Sequence, residues 1–284
     1  MSHEKIAVLD FETFAIKPRP EYPPKPVGLA YFLPMPGKMT GRKDYLPCRT
    51  PSERQRVKQL IQQLAREGYR FLMHNASFDL DVAETHLGVR WPMTHHDSLL
   101  LAYLMEPRAP TFSLKPTAQR LLGIKPKERD KLQEWILENV PGATPKTWGA
   151  YISEAPFELV RPYAIADVDL SYRLFLHYMK TLRKDSQLMR AYERELKVTR
   201  VLVKMERRGI PVRVPELEHD LKQWKQCKHQ LEQELFLHLK VPKKDRNEEF
   251  AGLRGELGKP AAFWRAQWEK GLGYQLWMIF FAIL

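Results

Sequence analysis

Cysteine is nearly absent from the sequence. Only Cys48 and Cys227 occur, far apart and in no C-x-x-C spacing, so neither a disulfide framework nor a zinc knuckle is specified. Long apolar runs are missing too: YQLWMIFFAIL at 274–284 is the longest, well short of the roughly 20 residues that span a bilayer. The start, MSHEKIAVLDFET, has acidic residues where a signal peptide needs an apolar stretch. A cytoplasmic protein with no membrane partner is therefore expected. There is no Walker-type glycine loop and no G-x-S-x-G, which removes two large classes of phosphate and acyl chemistry. Acidic residues are also outnumbered, 34 against 46 basic, for a formal net charge of +12. The excess is spread along the chain, with 27 basic against 21 acidic residues up to position 185 and 19 against 13 beyond it. Such a field suits a polyanion such as nucleic acid, and it also aids solubility.

What is present begins with KIAVLDFETFAI at residues 5–16, an apolar strand pattern that ends in Asp10, Phe11 and Glu12. Alternation along a strand puts Asp10 and Glu12 on one side and Phe11 on the other. Two like charges side by side ask for a cation or a proton. A solvated strand exit, with a carboxylate capping the next turn, is the competing reading until further carboxylates are found.

A proline-rich loop, KPRPEYPPKPVG, leads to a second apolar run, LAYFLP. Val57, Leu60, Ile61 and Leu64 predict a helix over 51–66, opened by Pro51 and Ser52. YRFLMHN reads as a short strand, SFDLDVAETHLG as a helix closed by Gly88, and HDSLLLAYLMEP as a buried helix ending before Pro107. This alternation predicts an α/β domain. Residues 107–155 mix one short amphipathic helix with proline and glycine turns and read as a surface insertion. PYAIADVDLSYRLFLHYMKTLRK is a helix with Leu170, Leu174, Tyr178 and Leu182 on one stripe and Pro162 in its first turn. From residue 186 a long charged helical texture predicts a second, mainly helical region. The division expected is 1–185 and 186–284.

Two further acidic positions stand out. Asp79 in HNASFDL lies four residues after Asn75, and Asp167 in YAIAD four after Tyr163, so in a helix each pair shares a face. Four carboxylates from three separated segments suit the hard oxygen cage that Mg²⁺ or Mn²⁺ requires.

LDFET, HNASFDL and YAIAD, in that order, resemble the D-x-E, N-x-x-x-D and Y-x-x-x-D motifs of the DnaQ-like, or DEDD, exonucleases. The resemblance covers residues 1–185, and Tyr163 places it with the DEDDy subgroup. The histidine position of the DEDDh subgroup is Pro162 here. The resemblance implies an RNase H-like exonuclease fold, a mixed sheet flanked by helices, followed by a mainly helical C-terminal region. It also implies a two-ion, metal-dependent 3′-5′ exonuclease releasing nucleoside 5′-monophosphates. Asp10 would bridge both ions, Glu12 and Asp167 would hold the first, and Asp79 would hold the second through water. Tyr163 would orient the attacking water, while Thr13, Ile16 and Asn75 match positions that contact substrate.

Downstream, ERELKVTRVLVKMERRGIPVRVPEL resembles the segment that leads into the thumb of family A DNA polymerases, including phage members. This implies proofreading on single-stranded or frayed 3′ DNA ends, in the cytoplasm of an infected bacterial host. No polymerase activity is expected, since no palm motif occurs. The sequence from about residue 245 departs from that pattern, as a truncated or frame-altered end or as an interface with a separately encoded polymerase part. Two rivals stand beside this reading: an RNA exonuclease of the ribonuclease D type, and a non-catalytic nucleic-acid-binding module of a split polymerase.

Other residues have blander readings. HHD at 95–97 resembles the HD phosphohydrolase dyad, but those enzymes need more histidines on an all-helical scaffold, and Asp97 is expected to cap the helix SLLLAYLM. Asp81 and Asp169 are expected to be solvated. Trp135, Trp148 and Tyr151 are candidates for base stacking and equally for core anchors.

Overall fold

The computed structural model describes residues 4–35, 38–90, 95–124 and 127–238. It divides into two compact units, Met1–Gly209 and Ile210–Leu284. The atypical sequence beyond residue 245 lies outside the described residues.

The first unit is built on a five-stranded sheet of order β3-β2-β1-β4-β5. The strands are β1 (Ile6–Thr13), β2 (Pro26–Pro34), β3 (Gly41–Pro47), β4 (Arg70–Met73) and β5 (His95–Asp97). β1 is central, antiparallel to β2 and parallel to β4; β2 pairs antiparallel with β3, and β4 parallel with β5. Alternation along β1 splits the core in two. Ile6 and Val8 join Ala30, Phe32 and Leu72 against helix α6 (Phe157–Leu182), where Leu170, Leu174, Tyr178 and Leu182 are buried as their spacing predicts. Ala7, Leu9 and Phe11 join Leu29, Tyr31 and Phe71 against helices α1 (Pro51–Arg66) and α2 (Ala76–Leu87).

Local chemistry sets the helix ends. Thr50 and Glu53 form a reciprocal capping box at the start of α1. Gly88 closes α2 at φ 61°, the left-handed region that glycine enters without penalty. Asp97 accepts from the N–H groups of Leu99 and Leu100 to cap α3 (Ser98–Met105), so HDSLLLAYLMEP is a short strand followed by a helix, not one helix.

Residues 107–155 are not a surface insertion. They form α4 (Leu114–Leu122), α5 (Lys127–Asn139) and a 3₁₀ turn (Trp148–Glu154), whose Ala118, Leu132, Ile136 and Ile152 belong to the core on α6. Trp135, Trp148 and Tyr151 pack against the same core. Helix α6 also begins earlier than expected. Pro156 is its N-cap, so Pro162 lies within the helix and not in its opening turn. Val160 is buried there and Leu159 packs on the core, apolar contacts that draw Phe157–Arg161 into the helix ahead of the proline.

Helix α7 (Ser186–Arg208) belongs to the first unit and buries Tyr192, Leu196 and Val203. Asp81, expected in solvent, is instead buried at the α2–α7 junction, where Arg207 bonds it and Glu84, and Arg19 reaches it from the proline-rich loop. Asp169 is likewise paired, with Lys43 of β3 and with Arg173 one turn along α6. Both carboxylates face basic side chains from other elements, partners that helical register alone does not reveal. In the second unit, α8 (Val214–His238) is a single helix with Leu217, Leu221 and Trp224 exposed. No helix among the described residues is long and apolar enough to cross a membrane.

Candidate active site

β1 presents the first two carboxylates. Asp10 and Glu12 continue the face of Ile6 and Val8, the face that packs on α6. Asp167 comes from α6, one turn after Tyr163. Ligand oxygens of Asp10, Glu12 and Asp167 all lie within 4.8 Å of one another. Glu12 and Asp167 are buried, and Asp10 is half-buried.

Confinement of this much negative charge raises the proton affinity of the group. Burial, and next the charge of Asp167, push Asp10 up to about 7, against an opposing pull from Lys115. Glu12 is held well above the usual carboxylate range by burial and then by Asp10 and Asp167. The opening question of the sequence, a cation or a proton, is therefore posed by the folded site as well. Three converging carboxylate oxygens with no soft ligand among them fit a hard divalent cation.

Asp79 is placed differently. β4 pairs with β1 only as far as Val8↔Leu72, and the Phe11 N–H beyond that point donates to Asp79 Oδ1 at 2.9 Å. Asp79 thus sits beside the trio and is not one of the three mutually close carboxylates. Burial and the charge of Asp10 raise its pKa well above the usual range, while the Phe11 N–H works the other way. Asn75 does not lie on the first turn with it. It is the N-cap of α2, left-handed at φ 72° and exposed, and its side chain accepts from Ser77.

Thr13 and Ile16 line a cavity of about 340 Å³ that opens beside Glu12. Phe14 and Phe78 contribute aromatic walls, and Gly149 and Ala150 of the 3₁₀ turn line it as well. Arg49 joins the two walls, donating to the Ser153 carbonyl and lying over the Phe14 ring at 5.7 Å from its centroid. A flat aromatic ring system fits between such surfaces.

Tyr163 is buried, its ring edge-to-face with Trp148 at 5.9 Å. Lys115, in the first turn of α4, lies over the same ring at 3.8 Å and donates to Asp167 Oδ2. Sequence reading missed Lys115, because its partners lie about fifty residues away and nothing local marks it. The HHD segment is structural. Asp97 accepts from the N–H groups of Asn75 and Ala76 as well as capping α3, so one carboxylate fixes the start of two helices. His96 bonds Tyr192 and Glu4, tying α7 to the sheet edge.

Comparisons with known proteins bear on the family and the fold. Residues 39–183, just over half of the chain, match the family described as 3′-5′ exonuclease. That span holds Asp79, Tyr163 and Asp167, while Asp10 and Glu12 precede it. The DNA polymerase of Escherichia phage T5 is 26% identical over 194 residues, covering 65% of this chain and 22% of the polymerase. The chain thus spans about a fifth of the length of that relative. Among solved structures, Brucella melitensis NrnC with bound Mg²⁺ superposes with a TM-score of 0.50 at 17% identity, over 72% of this chain and 87% of that one. The POL domain of Pol1 from M. smegmatis, in complex with DNA primer-template and dNTP, gives 0.51 at 18% identity, over 82% and 33%. At these identities the structural matches establish the fold, which is the RNase H-like exonuclease fold.

Proposed function

The chain belongs to the 3′-5′ exonuclease family, and on that premise we propose that it hydrolyses DNA from the 3′ end to nucleoside 5′-monophosphates, as the proofreading part of a polymerase system. The observation that supports this most is the carboxylate trio of Asp10, Glu12 and Asp167 directly beside the Thr13–Ile16 cavity. Asp10, Glu12 and Asp167 would hold Mg²⁺ or Mn²⁺, and Asp79, held by the Phe11 N–H between Asp10 and Glu12, would assist a second ion. Such ions supply hydroxide at neutral pH and stabilise the departing oxygen.

The chain's own residues do the rest. The terminal nucleotide packs between Phe14, Ile16 and the 3₁₀ turn, which brings its phosphate to the carboxylates. A phenol is in general a poor base at neutral pH, so Tyr163 acts by holding the attacking water through a hydrogen bond. Water adds at phosphorus as the bond to the preceding 3′ oxygen breaks, and that oxygen takes up a proton.

DNA as substrate is supported by the similarity to a phage DNA polymerase and by the +12 charge. The test is turnover of matched DNA and RNA single strands, together with primer-templates having paired and mispaired 3′ ends. DNA is cut faster than RNA, and mispaired ends faster than paired ones, because less pairing and stacking is lost on exposing the strand. Faster cleavage of RNA would replace the DNA reading by the ribonuclease D type. Equal rates on paired and mispaired ends would remove the proofreading role and leave the nuclease.

A further inference from the structure

Lys115 is at an unfavourable place for a cation. It is the second residue of α4, where the exposed N–H groups of a helix start favour negative charge, and that first turn contains no acidic residue. Its ammonium is largely withdrawn from solvent, with the side chain 13% exposed. Two contacts offset these costs: the hydrogen-bonded ion pair with Asp167 Oδ2 and the face of the Tyr163 ring 3.8 Å away.

The consequence concerns occupancy. Asp167 belongs to the trio that the function proposed above assigns to a divalent cation, yet its carboxylate already carries an ammonium on Oδ2. A dication held by the trio and an ammonium on the same carboxylate repel each other strongly. On the basis of that functional reading, we infer that Lys115 is an internal counter-cation of the site, which holds Asp167 when no metal is bound and gives up this contact on metal loading. Its flexible stem lets the ammonium leave the carboxylate while staying on the Tyr163 ring, which keeps the backbone of α4 in place. Lys115 is a positioning residue in this role: it keeps a crowded group of carboxylates ordered before loading and makes loading weaker than the bare trio would allow.

Calorimetric titration of the full chain with Ca²⁺ tests this directly, with melting temperature in EDTA as the second readout. Lys115→Met keeps the stem and deletes the charge. It is expected to tighten Ca²⁺ binding about tenfold, equivalent to about 1.4 kcal/mol of competition removed, and to lower the melting temperature of the metal-free protein. Lys115→Arg keeps the charge and restores most of both properties. Unchanged or weaker Ca²⁺ binding by Lys115→Met overturns the inference while leaving the nuclease reading intact. Failure of the wild type to bind Ca²⁺, Mg²⁺ or Mn²⁺, or binding that Asp10→Asn does not weaken, overturns both. The wild-type protein gives an independent check. Acylation of Lys115 by an amine-reactive ester, followed by mass spectrometry, should rise several-fold on adding Ca²⁺, and an unchanged level overturns the inference without any variant needing to fold.

Discussion

Tyr163 and Asp10 allow the chemistry to be separated from the packing one side chain at a time. Tyr163→Phe retains the ring that meets Trp148 and Lys115 and removes only the hydroxyl. It should lower kcat by about ten- to a thousandfold, the scale of a positioned catalytic group or somewhat less. DNA affinity in Ca²⁺ and the melting temperature should stay nearly constant. Wild-type turnover, or an unfolded variant, would make the tyrosine structural. For Asp10, the folded, metal-free chain keeps its proton up to about pH 7, whereas the ordinary value is 3.8. The folded state therefore binds more protons than the unfolded state between about pH 4 and 7, and this group's contribution to stability falls as pH rises through that window. Glu4, lowered to about 2, and His95, lowered to about 4, act in the opposite sense. The Glu4 contribution is lost as pH falls below its ordinary 4.5, and that of His95 as pH falls below its ordinary 6.5. Both groups persist in Asp10→Asn and cancel in the difference from wild type, which reads Asp10 together with the charge it places on Glu12 and Asp79. Melts in EDTA should show the variant gaining on wild type from pH 5 to pH 8, and a constant difference would contradict the assignment.

Whole elements cohere through buried polar joints as much as through the core. Arg207, near the end of α7, holds Asp81 and Glu84 of α2, the helix that also presents Asp79. Arg207→Ala would leave Asp81 buried with Arg19 as its remaining basic partner. The cost should be about 2 kcal/mol, below the 3–5 typical of a buried pair that loses one member, because that second arginine remains. Urea unfolding measures it, and a loss under about 0.5 kcal/mol would show that α7 is held by its apolar face alone. Elements differ in how plainly the sequence announces them. α1 and most of α6 are legible because a helical burial period runs through each, β1 because it is a continuous apolar run, and α2 because Gly88 closes it. β3 is not, since GRKDYLP is an edge strand with a mostly polar, partly exposed face. The 107–155 stretch is misread because proline and glycine interrupt every period, although its few apolar residues complete the core. At the site, the motifs identify Asp10, Glu12 and Asp167, which depend on strand alternation and chain order. Lys115 and the Asp79–Phe11 bond depend on where β4 stops and how α4 meets α6, which only tertiary packing decides.

On the scale of the whole molecule, the proposed substrate is a polyanion and the protein is basic, yet the site that would meet it is lined by carboxylates, features that oppose each other unless a cation lies between substrate and enzyme. On the proposed function the spread charge of +12 would gather nucleic acid without sequence preference, so KM for single strands should rise with salt more steeply than kcat changes. The local negative charge of the trio makes productive binding conditional on metal. Both demands meet in one assay: a 5′-labelled single-stranded DNA incubated with the purified chain in Mg²⁺, in EDTA, and in Mg²⁺ with Asp10→Ala in place of wild type. Stepwise shortening from the 3′ end, seen only for wild type in Mg²⁺, is the predicted result. Equal shortening by Asp10→Ala, release of the label from the 5′ end, or no cleavage at any Mg²⁺ or Mn²⁺ concentration would contradict the assignment of the carboxylate trio as the catalytic centre of a 3′-5′ exonuclease.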